Sequence, residues 1–469
     1  MARLTWFDRL TQLTRPGQAA GTPSVPGLVL SGGGARASFH IGALRYLYDQ
    51  VGIAPTRIVG TSAGSVVAAV LAQSVDSAEQ SAQLRDLERT WLSMTGPADM
   101  FAEQAWFTKL RSHWDDLSGL TGLLAPGEGT GAESVVVADA DEVTAVVRRA
   151  MAEDPSQDMA VTPNDVWQLA GSLLRVGRAG AGLAASVRGA EKAASAYRPG
   201  PIVERLLFES DFESRRVAQS GVLLRLAFVD LNSGELRYMR QDGVIVDRED
   251  RPIDGTRYDL TLGVWASCAI PGVFRPVKMG AEVYVDGGVR DNVPVEMAVT
   301  HLGVTKPYVI VASPPGLAAD DFAAKDMVSV LLRVAGITLD ETIRNEVEWA
   351  RRAGACVIEP RVDVHDAGTV EPALLRINRD YGWMCAAEEI QDAPPSLRTL
   401  NDSIISARCE WAAIEHPSHG AAAVSVGGVA PTAPRDRLDQ VQRRLRDFLA
   451  RSDPSLMPPG HESWADALM

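Results

Sequence analysis

Two stretches of the chain repeat one plan of apolar and polar positions. In "GLVLSGGGARASFHIGALRYLYD" a short apolar run meets a cluster of glycines, then a segment with apolar residues at three- and four-residue steps. In "RIVGTSAGSVVAAVLAQ" the same order returns: apolar run, glycine turn, helix of small residues. Strand-length runs that turn sharply into helices, twice in tandem, predict parallel strands covered by helices, an α/β fold. The strand pattern resumes in "GVLLRLAFVDLNSGELRYMR", "EVYVDGGV" and "PYVIVASPP", and "ACVIEP" reads as the last strand.

Between them, residues 76–205 are long, polar and of helical period, and no run there reads as a central strand; the region is expected to be a largely helical insertion or cap. Within it Val166, Leu169, Leu173, Val176, Leu183 and Val187 recur at helical spacing, and Arg175, Arg178, Arg188, Lys192 and Arg198 make the segment basic. Such a helix packs on its own domain, or touches an anionic membrane, or acts as a lid. Residues 1–26 form an N-terminal segment ending in the Pro/Gly-rich "RPGQAAGTPSVP". Leu4, Phe7, Leu10 and Leu13 fall on one helical stripe there, suited to docking on the domain or lying on a membrane surface. The main domain is expected over 27–400. Residues 401–469 then supply a C-terminal helix, the low-complexity "PSHGAAAVSVGGVAPTAP", an amphipathic helix with Leu438, Val441, Leu445, Phe448 and Leu449 on one side, and a tail.

Composition narrows the chemistry. The chain has 469 residues, 46% of them hydrophobic, enough for a sizeable core. Its net charge of −14 argues against nucleic-acid binding. Four cysteines without paired or metal-type spacing read as buried thiols in a reducing compartment. The start lacks the pattern of a secretory signal, and no run approaches the roughly 18 apolar residues of a membrane span, so a cytoplasmic protein is expected, with peripheral membrane contact at most.

Ser62 lies in G-x-S-x-G between a predicted strand and helix. That sharp turn lifts the hydroxyl out of the sheet to the positive end of the following helix, and Gly60 and Gly64 remove side chains where backbones crowd. The alternative is an ordinary structural turn. Gly32, Gly33 and Gly34 leave backbone N–H groups open to a substrate oxyanion, with Arg36 adding charge beside them. Gly32, Gly34 and Ala37 also satisfy a dinucleotide fingerprint, but the second strand runs into Gly60-Thr61-Ser62 instead of the acidic residue that fold requires. A P-loop fails, because Ser65 follows Gly64 where a lysine is needed.

A serine needs a base. His40, His301, His365, His416, His419 and His461 carry no surrounding signature. Asp286 follows a short apolar strand, and Gly287-Gly288 make a tight turn that would project its carboxylate at the strand end, where sites collect in α/β sheets. A carboxylate that only stabilises the turn is the competing reading.

"SGGGARASFHIGAL", "GTSAGS", "WASCAIPGVFRPV" and "YVDGGVRDNVPVEMA" occur in the order and broad spacing of patatin-like phospholipases. The resemblance covers 27–75 and 200–315 well, and extends more loosely to about 390. It implies a three-layer α/β/α fold with a mostly parallel central sheet, and hydrolysis of acyl esters in phospholipids or neutral lipids without metal or cofactor. It assigns Ser62 as nucleophile and Asp286 as base, a dyad in place of a triad. Gly32, Gly33 and Gly34 become the oxyanion donors, with Arg36 supporting their loop or meeting a lipid phosphate. Asn292 and Pro294 match the structural part of the D-G-G motif, and Ala266 to Phe274 the loop beside the site. One departure is Ala37, where the family usually has glycine, which touches the oxyanion geometry. Acyl transfer to an acceptor other than water, or a silent lipid-binding protein on the same fold, are the rival readings.

Overall fold

The computed structural model describes residues 24–103, 197–206, 212–317, 327–416 and 434–465. The stripe at Leu4–Leu13, the basic segment 166–190 and the low-complexity stretch up to residue 433 lie outside them. Two compact units are distinguished, one of residues 1–102 with 199–469 and one of 103–198. Everything that follows concerns the first.

Its centre is a mixed, ten-stranded sheet. Strands β1 (Pro26–Leu30), β2 (Arg57–Thr61), β3 (Leu223–Asp230), β9 (Lys306–Ile310) and β10 (Cys356–Ile358) are parallel, in the order β10-β9-β1-β2-β3. Beyond β3 the sheet continues antiparallel through β4 (Leu236–Arg240), β5 (Val244–Val246) and β6 (Pro252–Arg257). The hairpin of β7 (Val277–Met279) and β8 (Glu282–Asp286) joins it through an antiparallel pairing of β8 with β3. The strand runs read from the sequence are all here.

The parallel strands are buried on both faces, which is why they read as continuous apolar runs. Alternate residues divide between two cores. Leu28, Leu30, Ile58, Leu224, Leu226 and Ile310 face one layer of helices, whereas Val29, Val59, Val229 and Val309 face the other side. The first layer contains α1 (Ala37–Tyr46), α2 (Ala63–Leu71), α3 (Ser77–Trp91), α6 (Pro372–Ile390) and α7 (Pro395–Glu415). The second is built around α5 (Met327–Arg352) and the turn at Met297–His301, through Val347, Ala350, Met297 and Ala298. Helix α4 (Leu260–Ser267) precedes the β7–β8 hairpin, and α8 (Pro434–Leu449) seats Val441 and Leu445 in the first core, as its amphipathic pattern requires.

Helix α2 is buried along its whole length, which suits its small apolar residues and makes it the central helix of its layer. Helix α3 corrects the expected start of the insertion at residue 76. Its polar surface disguises a stripe of Leu84, Leu87 and Trp91 that is buried in the main core, and the division between compact units falls at 103.

Candidate active site

The register of β3 brings two strand ends together. The first part of β3 pairs with β2, ending at Thr61 opposite Ala227; the next residue, Phe228, pairs with Asp286 at the end of β8. The chain after β2 and the chain after β8 therefore emerge at one point on the sheet. Residues more than 200 positions apart become neighbours by backbone pairing alone.

Ser62 follows Thr61 with φ 53° and ψ −128°, a positive φ that costs energy in any residue with a side chain and that clusters at functional sites. The turn is held by Ser65, whose N–H and hydroxyl donate to the Ser62 carbonyl at 2.8 and 2.6 Å, and by the Ser62 N–H donating to the Ser267 hydroxyl at 2.9 Å. The crowding expected of the two motif glycines is present. A Cβ on Gly64 would stand 2.5 Å from the carbonyl oxygens of Leu30 and Ser31, and one on Gly60 2.6 Å from the Gly64 carbonyl. Ser62 is 6% exposed and Asp286 5%.

The Asp286 carboxylate accepts the Gly288 N–H at 2.8 Å, and the nearby Ser62 hydroxyl also favours its charged form. Its own N–H donates to the Ala269 carbonyl at 3.0 Å, which ties it to the loop after α4. Gly287 lies so close to β3 that a Cβ would meet the Ala227 carbonyl at 2.5 Å. Burial pushes the Asp286 carboxyl up to about 6, against the Ser62 hydroxyl and the Gly288 N–H, which favour its charged form. The same burial, together with the Asp286 charge, raises the neighbouring Cys268 thiol, whose sulfur lies 3.8 Å from the Ser65 hydroxyl.

The glycine loop runs from Ser31 to Arg36. The Gly32 N–H is already taken by the Asn292 carbonyl at 3.2 Å, so this glycine braces the loop. Gly33 and Gly34 are half-buried, and their N–H groups have no partner among the described residues. Gly34 takes φ 56°, the left-handed conformation for which glycine is the natural residue. The Ala35 N–H donates to the Ala367 carbonyl at 2.9 Å. Ala37 has φ −61° at the start of α1, so alanine meets no backbone conflict there.

Arg36 fits one of its expected roles. Its guanidinium forks onto Asp363 at 2.8 and 2.9 Å, donates to the His365 carbonyl at 2.7 Å and reaches the Ser313 hydroxyl at 3.2 Å. These contacts tie it to Ser313 and the 363–367 loop, which favours the expected loop-supporting role over that of an oxyanion donor or phosphate ligand. Sequence reasoning missed that loop, because nothing local marks a partner more than 300 residues away, whereas Ser267 lies in the Ala266–Phe274 stretch expected beside the site.

His40 is fully buried behind the glycine loop beside the Ser31 hydroxyl (3.4 Å), and burial lowers it to about 4, so it is neutral. None of the described histidines bonds Ser62 or Asp286. No group of three or more metal-ligating side chains occurs among the described residues, and none of their helices is long and apolar enough to cross a membrane.

The family model for patatin-like phospholipases matches residues 28–299, more than half the chain, and takes in the glycine loop, the Ser62 turn and the Asp286 turn. The chain belongs to the patatin-like phospholipase family. Lipid acyl hydrolysis is the activity that membership brings. Among solved structures the chain is similar to VipD from Legionella pneumophila, with 13% identity over 95% of this chain and 83% of that one, at a TM-score of 0.32. It is also similar to a chain in the complex of full-length SpcU with full-length ExoU from the type III secretion system of Pseudomonas aeruginosa, with 14% identity over 92% of this chain and 70% of that one, at a TM-score of 0.22. No curated protein gives a significant match.

Proposed function

We propose that this patatin-like protein is a serine hydrolase of lipid acyl esters that works through a Ser62–Asp286 dyad and an acyl-enzyme. The placement of the Ser62 hydroxyl beside the buried Asp286 carboxylate, set by the pairing of β3 with both β2 and β8, carries the reading. Above about pH 6 the carboxyl is ionised, and as a base with a raised pKa it is a better proton acceptor than an exposed aspartate. It removes the hydroxyl proton as the Ser62 oxygen attacks the ester carbonyl. The two free N–H groups of Gly33 and Gly34 are the donors available to the oxyanion, and the N-terminal end of α2 adds its positive field. Collapse of the tetrahedral adduct expels the alcohol, which takes the proton from Asp286. Water then repeats the cycle on the acyl-Ser62 ester and releases the fatty acid. The substrate in this reading is a phospholipid or neutral lipid met at a membrane surface by a protein that does not span it.

Active-site labelling with a fluorophosphonate tests the dyad. Wild type and His301→Ala should label, whereas Ser62→Ala and Asp286→Asn should not. Loss of labelling in a folded His301→Ala protein would mean that the base has been misidentified.

A further inference from the structure

The loop that follows Asp286 is a hub. The Asp291 carbonyl accepts the Thr61 hydroxyl at 3.0 Å, one residue before Ser62, and the Asn292 carbonyl accepts the Gly32 N–H. The Asn292 amide stands between the two glycine turns. Its nitrogen would lie 2.7 Å from a Cβ on Gly32 and 2.9 Å from one on Gly288. One short segment therefore fixes the nucleophile's strand, the glycine loop and the Asp286 turn together.

This segment is gripped by a carboxyl from another layer. Glu346 on α5 accepts the Val293 N–H at 2.8 Å through one oxygen and the Asn292 N–H at 3.3 Å through the other. Its carboxyl is also in contact with that of Asp291, whose Oδ2 accepts the Tyr238 hydroxyl. Two carboxyls in contact need a proton between them. Glu346 lies outside the residues matched by the family model.

We infer that Glu346 is a positioning residue for the acyl transfer: its carboxyl, in contact with that of Asp291, holds the 291–293 loop that sets Ser62, Asp286 and the glycine loop in register. The inference rests on the reading of Ser62 and Asp286 as the reacting pair. Burial and the Asp291 charge hold Glu346 well above the usual carboxylate range, which favours keeping the proton between the two carboxyls. Among the described residues, the other titratable groups at the pair include the neutral Tyr238 hydroxyl, raised by burial and by Asp291, and the ion pair of Arg248 with Glu296 at 2.5 Å. On α5 the neighbouring charges Arg344 and Glu348 are paired with Asp340 and Arg352. Among the described residues Arg248 is a cation that acts on Asp291, and it is already shared with Glu296. When alkali removes the proton, two buried carboxylates repel at contact range and the loop loses its grip. Turnover should fall while ground-state binding changes little.

The test is hydrolysis of a soluble short-chain p-nitrophenyl ester by the purified full-length chain, from about pH 5 to about pH 10, with kcat and KM measured separately. Wild type should show an alkaline decline in kcat. Glu346→Gln, which keeps a donor and an acceptor but does not titrate, should match wild type within about threefold near neutrality and lose that decline. Glu346→Ala should lower kcat by about tenfold to a hundredfold with KM within about twofold, and slow fluorophosphonate labelling by the same factor. An alkaline decline that persists unchanged in Glu346→Gln, or is absent from wild type, overturns the inference; if Glu346→Ala does not fold, the Glu346→Gln profile alone decides. Hydrolysis by Ser62→Ala at the wild-type rate would overturn the dyad and this inference with it. A Ser62-dependent activity indifferent to Glu346 overturns the inference alone.

Discussion

Ser62 and Asp286 are each held in a state that folding by itself does not favour, one with a positive φ and the other as a buried carboxylate. The pH dependence follows from the second. With the carboxyl at about 6, kcat/KM should fall about tenfold per pH unit below that value, read from initial rates on a soluble ester. Stability should move the other way. The folded-state pKa lies above the ordinary carboxylate value, so the neutral form suits the fold, and this contribution is lost as pH rises from about 4 through about 6. At pH 7 the ionised carboxylate costs roughly 3 kcal/mol at most, from a shift of about two units. Asp286→Asn should therefore be inactive yet more stable than wild type in urea at pH 7, with the gain gone near pH 4. Equal stability at both pH values would show that burial does not strain the charge. At this scale the sequence is legible where a residue's neighbours in the chain dictate its conformation, as at Ser62, Gly34 and Asp286. It is silent on Glu346, whose role comes from elements that meet only in the folded chain.

Helices α1 and α6 cross at Gly42 and Gly382. A Cβ on Gly42 would run into the Arg379 carbonyl, and one on Gly382 into the Phe39 carbonyl, so the two backbones touch. Glycine to alanine inside a helix normally stabilises by about 1 kcal/mol. Here Gly42→Ala and Gly382→Ala should each destabilise by about 1–3 kcal/mol instead, measured by chemical denaturation, because the helices must part. The glycine loop enters α1 directly, so its position depends on the same contact. Arg36 is the loop's other tether, and Arg36→Ala should lower kcat by about tenfold with a smaller effect on KM, as a misplaced donor would. Retained kcat would mean that the loop keeps its shape through the Gly32 and Ala35 backbone bonds alone. Element types were legible where period and punctuation agree: the strands, the α2 turn and the α8 stripe. Helix α3 was assigned to the insertion because its sequence is mostly polar, and only packing shows that Leu84, Leu87 and Trp91 suffice to seat it in the core.

At the level of the whole molecule the family match ends at residue 299, but the structure does not. Strand β9 (Lys306–Ile310) sits between β1 and β10 in the sheet, and α6 (Pro372–Ile390) packs its apolar residues in the same core as α1. A chain limited to residues 28–299 would leave β1 as an open edge and the outer side of α1 uncovered. It should fail to give a cooperatively unfolding, monodisperse protein by circular dichroism and size-exclusion chromatography; a well-folded product would show that the C-terminal helices are dispensable. What the sequence by itself determined was every feature set by short-range physics: strands by continuous apolar runs, the Ser62 turn by glycines flanking a serine, and the D-G-G turn by its own hydrogen bond. Tertiary structure alone decided which glycine N–H groups have no partner among the described residues, that Arg36 contacts the 363–367 loop, and that Glu346 reaches the segment after Asp286. Each of those depends on partners brought together by β-sheet register and helix packing across hundreds of residues, and no local pattern encodes a contact at that separation.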